Sequence, residues 1–385
     1  MGSGDVLYLG ETNGRLPHVR FGIRQADRLS HCYVIGATGV GKSSLLKSLV
    51  RQDFRAARGL ALIDPHGDLA LDLAREFASP ETVYLDAGDP AQPYGYNPLR
   101  RVREDKIPLA AAGLLDALKK LWPDAWGVRM EHVLRSSLYA LLEREGSSLP
   151  DLLRLYADDD FRKEVVRGIR NDVVRTFFET EFDKYPWRYR AEAVAPIQNK
   201  LGAILSDPML YRVLVAPKVD LHFRNLMDRG GVLLVNLAKG RIGEDSAATL
   251  GSLLVSTLGL AAVSRADAAP EGRRPFCAYV DEFPTFTTLS FANLMADLRK
   301  YGLSLVLAHQ HLGQLAPEVR QAVLGNAGTV VAFRIGPEDA AALAREFHPR
   351  FSAEDLVRLP NRNFYLRLMI DDAPTSPFSA KTLDA

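Results

Sequence analysis

Residues 36–43 read GATGVGKS, between an apolar run, HCYVI, and a helical one, SLLKSLVRQDF. The pattern satisfies GxxxxGK(S/T) in the strand-to-helix setting that the motif requires. Glycines let the backbone curl so that successive N–H groups and the first turn of the next helix face a phosphate. A strand running into such a loop and then into a helix is also the first half of a βαβ unit, which demands a parallel sheet. Gly36, Ala37, Thr38, Gly39, Val40, Gly41, Lys42, Ser43 and Ser44 are therefore the expected cradle for a nucleoside triphosphate. Lys42 is expected to reach the β and γ oxygens, and the Ser43 hydroxyl to ligate magnesium.

The βα alternation continues beyond the loop. Cys32 to Ile35, Leu60 to Ile63 and Val83 to Leu85 read as strands. The pattern stops near Pro98 and resumes at Gly231 with VLLVNL, followed by FCAYV, SLVLA, TVVAFRI and NFYLRLM. From roughly Glu104 to Ala216 the chain turns to long amphipathic repeats such as MEHVLRSSLYALLERE, apolar at helical spacing. The fold expected is α/β, with a mainly parallel central sheet and an inserted all-α domain. Its parts are 1–103, the insertion 104–216, and 217–385. Trp122, Trp126 and Trp187 could stack on bases, but the reading here is helix packing or an interface. RADAAPEGRRP, residues 265–275, reads as an exposed, flexible loop.

Phosphoryl transfer needs a carboxylate on the metal side and a base for the attacking water, and CAYVDEF supplies both at a strand end. Asp281 is expected to hold the metal through water and Glu282 to polarise the nucleophile. Past the strand in SLVLAHQHL, Gln310 stands where an open α/β sheet presents its ligands and is expected to sense the γ-phosphate. His309 and His311 have no third ligand nearby, so no metal beyond magnesium is expected.

Composition excludes more than it identifies. Hydrophobic residues are 47% and charged residues 25% of 385, a globular balance. Cys32 and Cys277 read as buried thiols of a reducing compartment. The longest apolar stretch, 251–264, is shorter than the ~20 residues of a membrane span, and the N-terminus lacks the features of a secretory signal. A cytoplasmic protein is expected. A net charge of +1 neither supports nor excludes a nucleic-acid partner.

Taken together and in order, GATGVGKS, IDPHGDL, VDEF, RKYGL with AHQ, and GNAGTVVAFRIGPEDA resemble the HerA/FtsK superfamily, above all the TraD/TraG-like coupling ATPases of conjugation and type IV secretion. The resemblance runs from about Asp27 to the C-terminus. It implies a RecA-like ATPase with an all-α insertion, assembled as a ring, usually a hexamer, around DNA, with ATP and Mg2+ as cofactors. It also implies an arginine supplied by the neighbouring subunit. Arg299 matches that position, and Arg334 is a second arginine typical of the family, a finger or a sensor; a local ion pair is the alternative for either. Asp64 would brace the P-loop or the metal's outer shell, and His66 stands where many coupling proteins carry lysine. Lys239 and Arg241 are pore candidates for DNA phosphates, with a mixed-charge surface loop as the alternative.

Coupling proteins commonly begin with membrane helices, and none precedes the P-loop here. That implies a branch docked at the inner face of the membrane through a partner, or delivery to something other than a secretion channel. The leading expectation is an ATP-driven DNA translocase with a relaxase or secretion-channel partner. Two others stand beside it: a HerA-like motor serving a nuclease in repair or phage defence, and a nucleotide-switched docking protein for secretion cargo.

Overall fold

The computed structural model describes residues 6–14, 18–79, 81–121 and 126–383. Eleven strands form one sheet: β1 (Val6–Thr12), β2 (Arg20–Arg24), β3 (Cys32–Ile35), β4 (Gly59–Asp64), β5 (Thr82–Asp86), β6 (Val232–Asn236), β7 (Phe276–Val280), β8 (Leu303–His309), β9 (Thr329–Ala332), β10 (Asn363–Arg367) and β11 (Phe378–Lys381). Their order is β2-β1-β11-β10-β9-β3-β8-β7-β4-β6-β5. From β9 to β5 all pairings are parallel. The other four strands close the margin antiparallel. β4, β7 and β8 are buried along their whole length, which is why they read as unbroken apolar runs without alternation.

The expected strands are all present, with bounds shifted by a residue or two; TVVAFRI ends as a strand at Ala332. The margin was not foreseen. β1, β2 and β11 carry polar residues, and the hairpin of β1 and β2 joins the sheet through a sequence-distant partner: Glu11 stands opposite Lys381. Gly10 fits there because a Cβ would lie 2.4 Å from the Lys381 carbonyl oxygen.

Parallel strands share an edge at their C-terminal ends, so the turns after β3, β4, β7, β8 and β9 open on one side. β8 lies between β3 and β7, which puts the glycine loop one strand away from Asp281. Helix α1 (Lys42–Arg55) runs from that edge to the opposite one. In its last turn Asp53, fully buried, accepts four hydrogen bonds: two from Arg28 at 2.7 Å each, one from Arg58 at 3.0 Å and one from the Tyr279 hydroxyl at 2.6 Å. Burial alone would raise the Asp53 pKa, but the Arg28 guanidinium takes it below the ordinary value. Tyr279 belongs to β7, so this cluster ties α1 to the strand of the acidic pair.

The chain divides into two compact units, one of Met1–Asp86, Phe223–Ala238 and Ala261–Ala385, the other of Ala87–His222 and Lys239–Leu260. The second unit therefore begins earlier than residue 104 and takes back a segment that the sequence reading assigned to the nucleotide half. Tyr94–Gly95 pairs with Val219–Asp220, and the Tyr96 N–H donates to the Val213 carbonyl, which draws residues 87–103 into the helical unit. The returning segment belongs chiefly to the helix Glu244–Ser264, whose Leu250, Leu253, Leu254, Val255 and Leu258 are all buried; Gly113 gives way to the Ser256 side chain, where a Cβ would stand at 2.7 Å. The apolar run is also longer than 251–264. The helix Glu244–Asp267 is long and apolar enough to cross a membrane by length and composition, with 67% of its apolar window buried inside the protein, the state of a core helix.

One smaller expectation is narrowed and another overturned. Trp187 opens its helix 75% exposed, with the Arg188 guanidinium 5.6 Å above its ring, which removes helix packing for it and leaves the interface alternative. The aromatic core there is made by Phe177, Phe178 and Phe182 instead. Trp126 donates to Glu131 at 2.5 Å, and Trp122 lies outside the described residues. Residues 265–275 are a tied segment rather than a flexible loop, because Arg265, fully buried, donates to the Tyr301 and Arg274 carbonyls and Arg273 to those of Ala268 and Lys300.

Candidate nucleotide site

The glycine loop is held at both ends. The Gly36 N–H donates to the His309 carbonyl at 3.3 Å, the Ala37 N–H to the Arg334 carbonyl at 2.9 Å, and the Arg362 N–H to the Val40 carbonyl at 2.7 Å. Gly36 packs so closely under Phe333 that a Cβ would stand 2.6 Å from that side chain. Gly41 takes φ +121°, a backbone that L side chains rarely adopt. The first turn of α1 carries no acidic residue, so its partial positive charge remains for an anion. Lys42 is buried and folds back, its ammonium donating to the carbonyls of Gly36 at 2.6 Å and Ala37 at 3.0 Å. Burial lowers its pKa, and the charges of Asp281 and Glu282 act in the opposite direction. Thr38 is exposed on the loop and Ser43 in the first turn of α1.

Asp281 and Glu282 follow β7 and are each 8% exposed. Burial, with the neighbouring Glu282 and Asp64 charges, pushes the Asp281 carboxyl up to about 7; Lys42 pulls the other way. A buried carboxyl so raised is short of positive charge, and a divalent cation supplies it. The donor set of Lys42, the Ser43 hydroxyl, the loop amides and Asp281 thus fits a triphosphate with magnesium.

Glu282 sits in the left-handed region, φ +47° and ψ +43°, a conformation that costs a non-glycine residue on the order of 1 kcal/mol and is found where the surroundings hold it. Its carboxylate accepts from Gln310 Nε2 at 2.8 Å and Gln314 Nε2 at 3.4 Å, while Gln310 Oε1 accepts from the Thr38 hydroxyl at 2.8 Å. One hydrogen-bonded run therefore joins the phosphate loop to the acidic pair. Gln314 was missed in the sequence, where its single signal is a place four residues after Gln310. His309 is buried and neutral, its pKa pushed down to about 3 chiefly by burial. Its Nδ1 faces Gln314 Oε1 at 3.2 Å and its Nε2 the Tyr33 hydroxyl at 2.6 Å.

Asp64 does not brace the P-loop. Its carboxylate accepts from the main-chain N–H groups of His66 at 2.9 Å and Ala70 at 3.0 Å, fixing the turn into helix α2 (Asp68–Glu76). Short-range backbone donors claim it first, and it acts on the site through its charge. His66 is exposed.

The two arginines part company. Arg334 follows β9 on the nucleotide edge and donates to the Leu359 carbonyl at 3.3 Å. Arg299 precedes β8, on the opposite edge from the P-loop of its own chain; it is half-exposed, 2.6 Å from Asp372 and 3.4 Å from the Ser30 hydroxyl. Lys239 and Arg241 lie in the short helix Lys239–Ile242 of the helical unit, the first half-buried and the second exposed.

The family of type IV secretion-system coupling protein DNA-binding domains matches residues 17–348. The chain belongs to that family. The resemblance to coupling ATPases read from the motifs is thereby borne out, and membership carries an interaction with DNA. Among solved structures, the plasmid coupling protein TrwB in complex with the GTP analogue GDPNP is 16% identical, with a TM-score of 0.68 over 94% of this chain and 88% of the other. TrwB in complex with ADP and Mg2+ gives 17%, 0.67, 94% and 87%. VirB4 of Thermoanaerobacter pseudethanolicus gives 17%, 0.67, 100% and 98%. These likenesses establish the RecA-like fold of this coupling protein domain. No curated protein matches it.

Proposed function

We propose that this chain is the ATP-hydrolysing DNA motor of a conjugative or type IV secretion apparatus. The observation that carries the reading is the run from Thr38 through Gln310 to Glu282, which gives the phosphate loop and the acidic pair one shared geometry. The loop amides from Gly36 to Ser44 bind the phosphates, and Lys42 leaves its two carbonyls for the β and γ oxygens. Ser43 and Asp281 hold magnesium, which when bound neutralises the charge that builds on the phosphoryl oxygens. Glu282 orients water and takes its proton, Gln310 reports whether the γ-phosphate is present, and Arg334 senses from the same edge.

Arg299 faces away from its own P-loop, so a finger role requires a second copy; this supports a homo-oligomeric ring, a hexamer in our reading, around DNA. Opening Arg299 for that task breaks an exposed ion pair with Asp372, a small cost of about 0–1 kcal/mol. Lys239 and Arg241 grip DNA phosphates without reading sequence. The helical unit docks the relaxase or channel partner, an arrangement at the inner face of the membrane. TrwB bound to nucleotides supports ATP and Mg2+ as cofactors.

ATP turnover measured with and without DNA tests the reading. Duplex or single-stranded DNA is expected to raise turnover, and Glu282→Gln to lower it by about 10²–10⁴-fold with nucleotide binding retained. Turnover indifferent to DNA, together with failure to displace a triplex strand, would turn the reading toward a nucleotide-switched docking protein.

A further inference from the structure

We propose that Gln314 is a positioning residue for Glu282, the fixed anchor that keeps the carboxylate in place while Gln310 is engaged elsewhere. The inference rests on the assignment of Glu282 as the base. Two glutamine amides reach Glu282, and they are held very differently. Gln310 shares its side chain between Glu282 and the Thr38 hydroxyl of the phosphate loop, so any ligand that draws on Thr38 or on the Gln310 amide breaks one of its two bonds.

Gln314 has no such second loyalty. Its Oε1 lies 3.3 Å from the Gln310 N–H, 3.2 Å from the His311 N–H and 3.2 Å from His309 Nδ1. The two main-chain donors decide which way the amide faces, since an NH2 group turned toward them would leave both N–H groups unsatisfied. An amide oxygen only accepts, so His309 carries its proton on Nδ1 and takes the Tyr33 O–H on Nε2. Gln314 itself ends the turn Leu312–Gln314, whose cap is His311. With the oxygen committed to that turn, Nε2 is left pointing at Glu282 Oε2, 3.4 Å away. Glu282 stands in a left-handed backbone that a side-chain anchor helps to hold.

Gln314→Glu separates this role from a purely structural one. Glutamate keeps an oxygen for the turn and loses the N–H donor toward Glu282, whereas Gln314→Ala loses both. Full-chain protein is assayed for DNA-stimulated ATP hydrolysis beside a fluorescent ATP-analogue titration and a thermal melt, with Glu282→Gln as reference. Gln314→Glu is expected to lower kcat about tenfold or more, in the manner of a displaced general base, with KM and analogue affinity within about twofold. Gln314→Ala is expected to lower kcat likewise. Wild-type kcat in Gln314→Glu with loss only in Gln314→Ala would make the residue a brace of the turn and overturn the proposal. So would a matched loss of affinity and kcat in both variants. Should Gln314→Glu not fold, a Gln314→Ala protein that folds and keeps wild-type kcat overturns it equally. If Glu282→Gln hydrolyses like the wild type, it is the assignment of the base that fails.

Discussion

The two ends of helix α1 solve opposite problems with similar groups. At the first turn Lys42 is buried with its ammonium on two main-chain carbonyls, and across β8 the Asp281 carboxyl is pushed up to about 7 by burial and by the neighbouring Glu282 and Asp64 charges. At the last turn Asp53 is more deeply buried, yet each of its oxygens accepts two hydrogen bonds, Oδ1 from Arg28 and Arg58 and Oδ2 from Arg28 and Tyr279. One end is satisfied by the chain itself. The other, in the function proposed above, is completed by a ligand that brings negative charge to Lys42 and positive charge to Asp281. A single rigid helix can thus be anchored at one edge of the sheet and left poised at the other, and the stability of the first makes the incompleteness of the second sustainable.

The largest effect that would break this contrast is at the anchored end. Asp53→Ala leaves the Arg28 guanidinium buried without its partner and is expected to cost about 3–5 kcal/mol, read from urea denaturation. A cost below about 1 kcal/mol would mean that the cluster is no anchor. Lys42→Ala at the poised end is expected to lower ATP turnover by about 10²–10³-fold without lowering the melting temperature.

Asp281 sharpens the comparison through pH. Its folded pKa of about 7 lies above the ordinary 3.8, so the folded state holds a proton that the unfolded chain releases. Nucleotide-free protein therefore loses stability as pH rises from about 4 through about 7. Asp281→Asn is expected to flatten that window and to stabilise the protein near neutral pH by roughly 1–3 kcal/mol. Denaturation at several pH values checks it, and an unchanged pH dependence contradicts it. The smallest effect concerns the helical unit. Lys239→Ala is expected to reduce the slope of log K for DNA against log salt by about 1, measured by fluorescence anisotropy.

The poised end was legible in the sequence because its chemistry is written in contiguous words. GATGVGKS, VDEF and AHQ each keep their polar side chains within a turn or two of chain, and parallel pairing brings them to one edge. The anchored end was not legible, since Arg28, Asp53, Arg58 and Tyr279 share no spacing and meet only through tertiary packing. Gln314 fell between these cases: near in sequence to Gln310, but recognisable only once its amide is seen on Glu282. The P-loop brace expected of Asp64 failed because an acid in a turn can serve the turn's own N–H groups, and packing of Trp187 failed because helical spacing does not tell which face is covered. Residues 239–260 were misassigned because a helix apolar on all sides carries no stripe to say which core it joins.

The margin of the sheet has a consequence for biosynthesis. β11 is threaded between β10 and β1, and Glu11 waits for Lys381, 370 positions later. Closing so long a loop comes late in any folding sequence. Until β11 has been made the first hairpin must therefore remain an open-sided ribbon, and Gly10 and its neighbours find their seat only when that strand arrives.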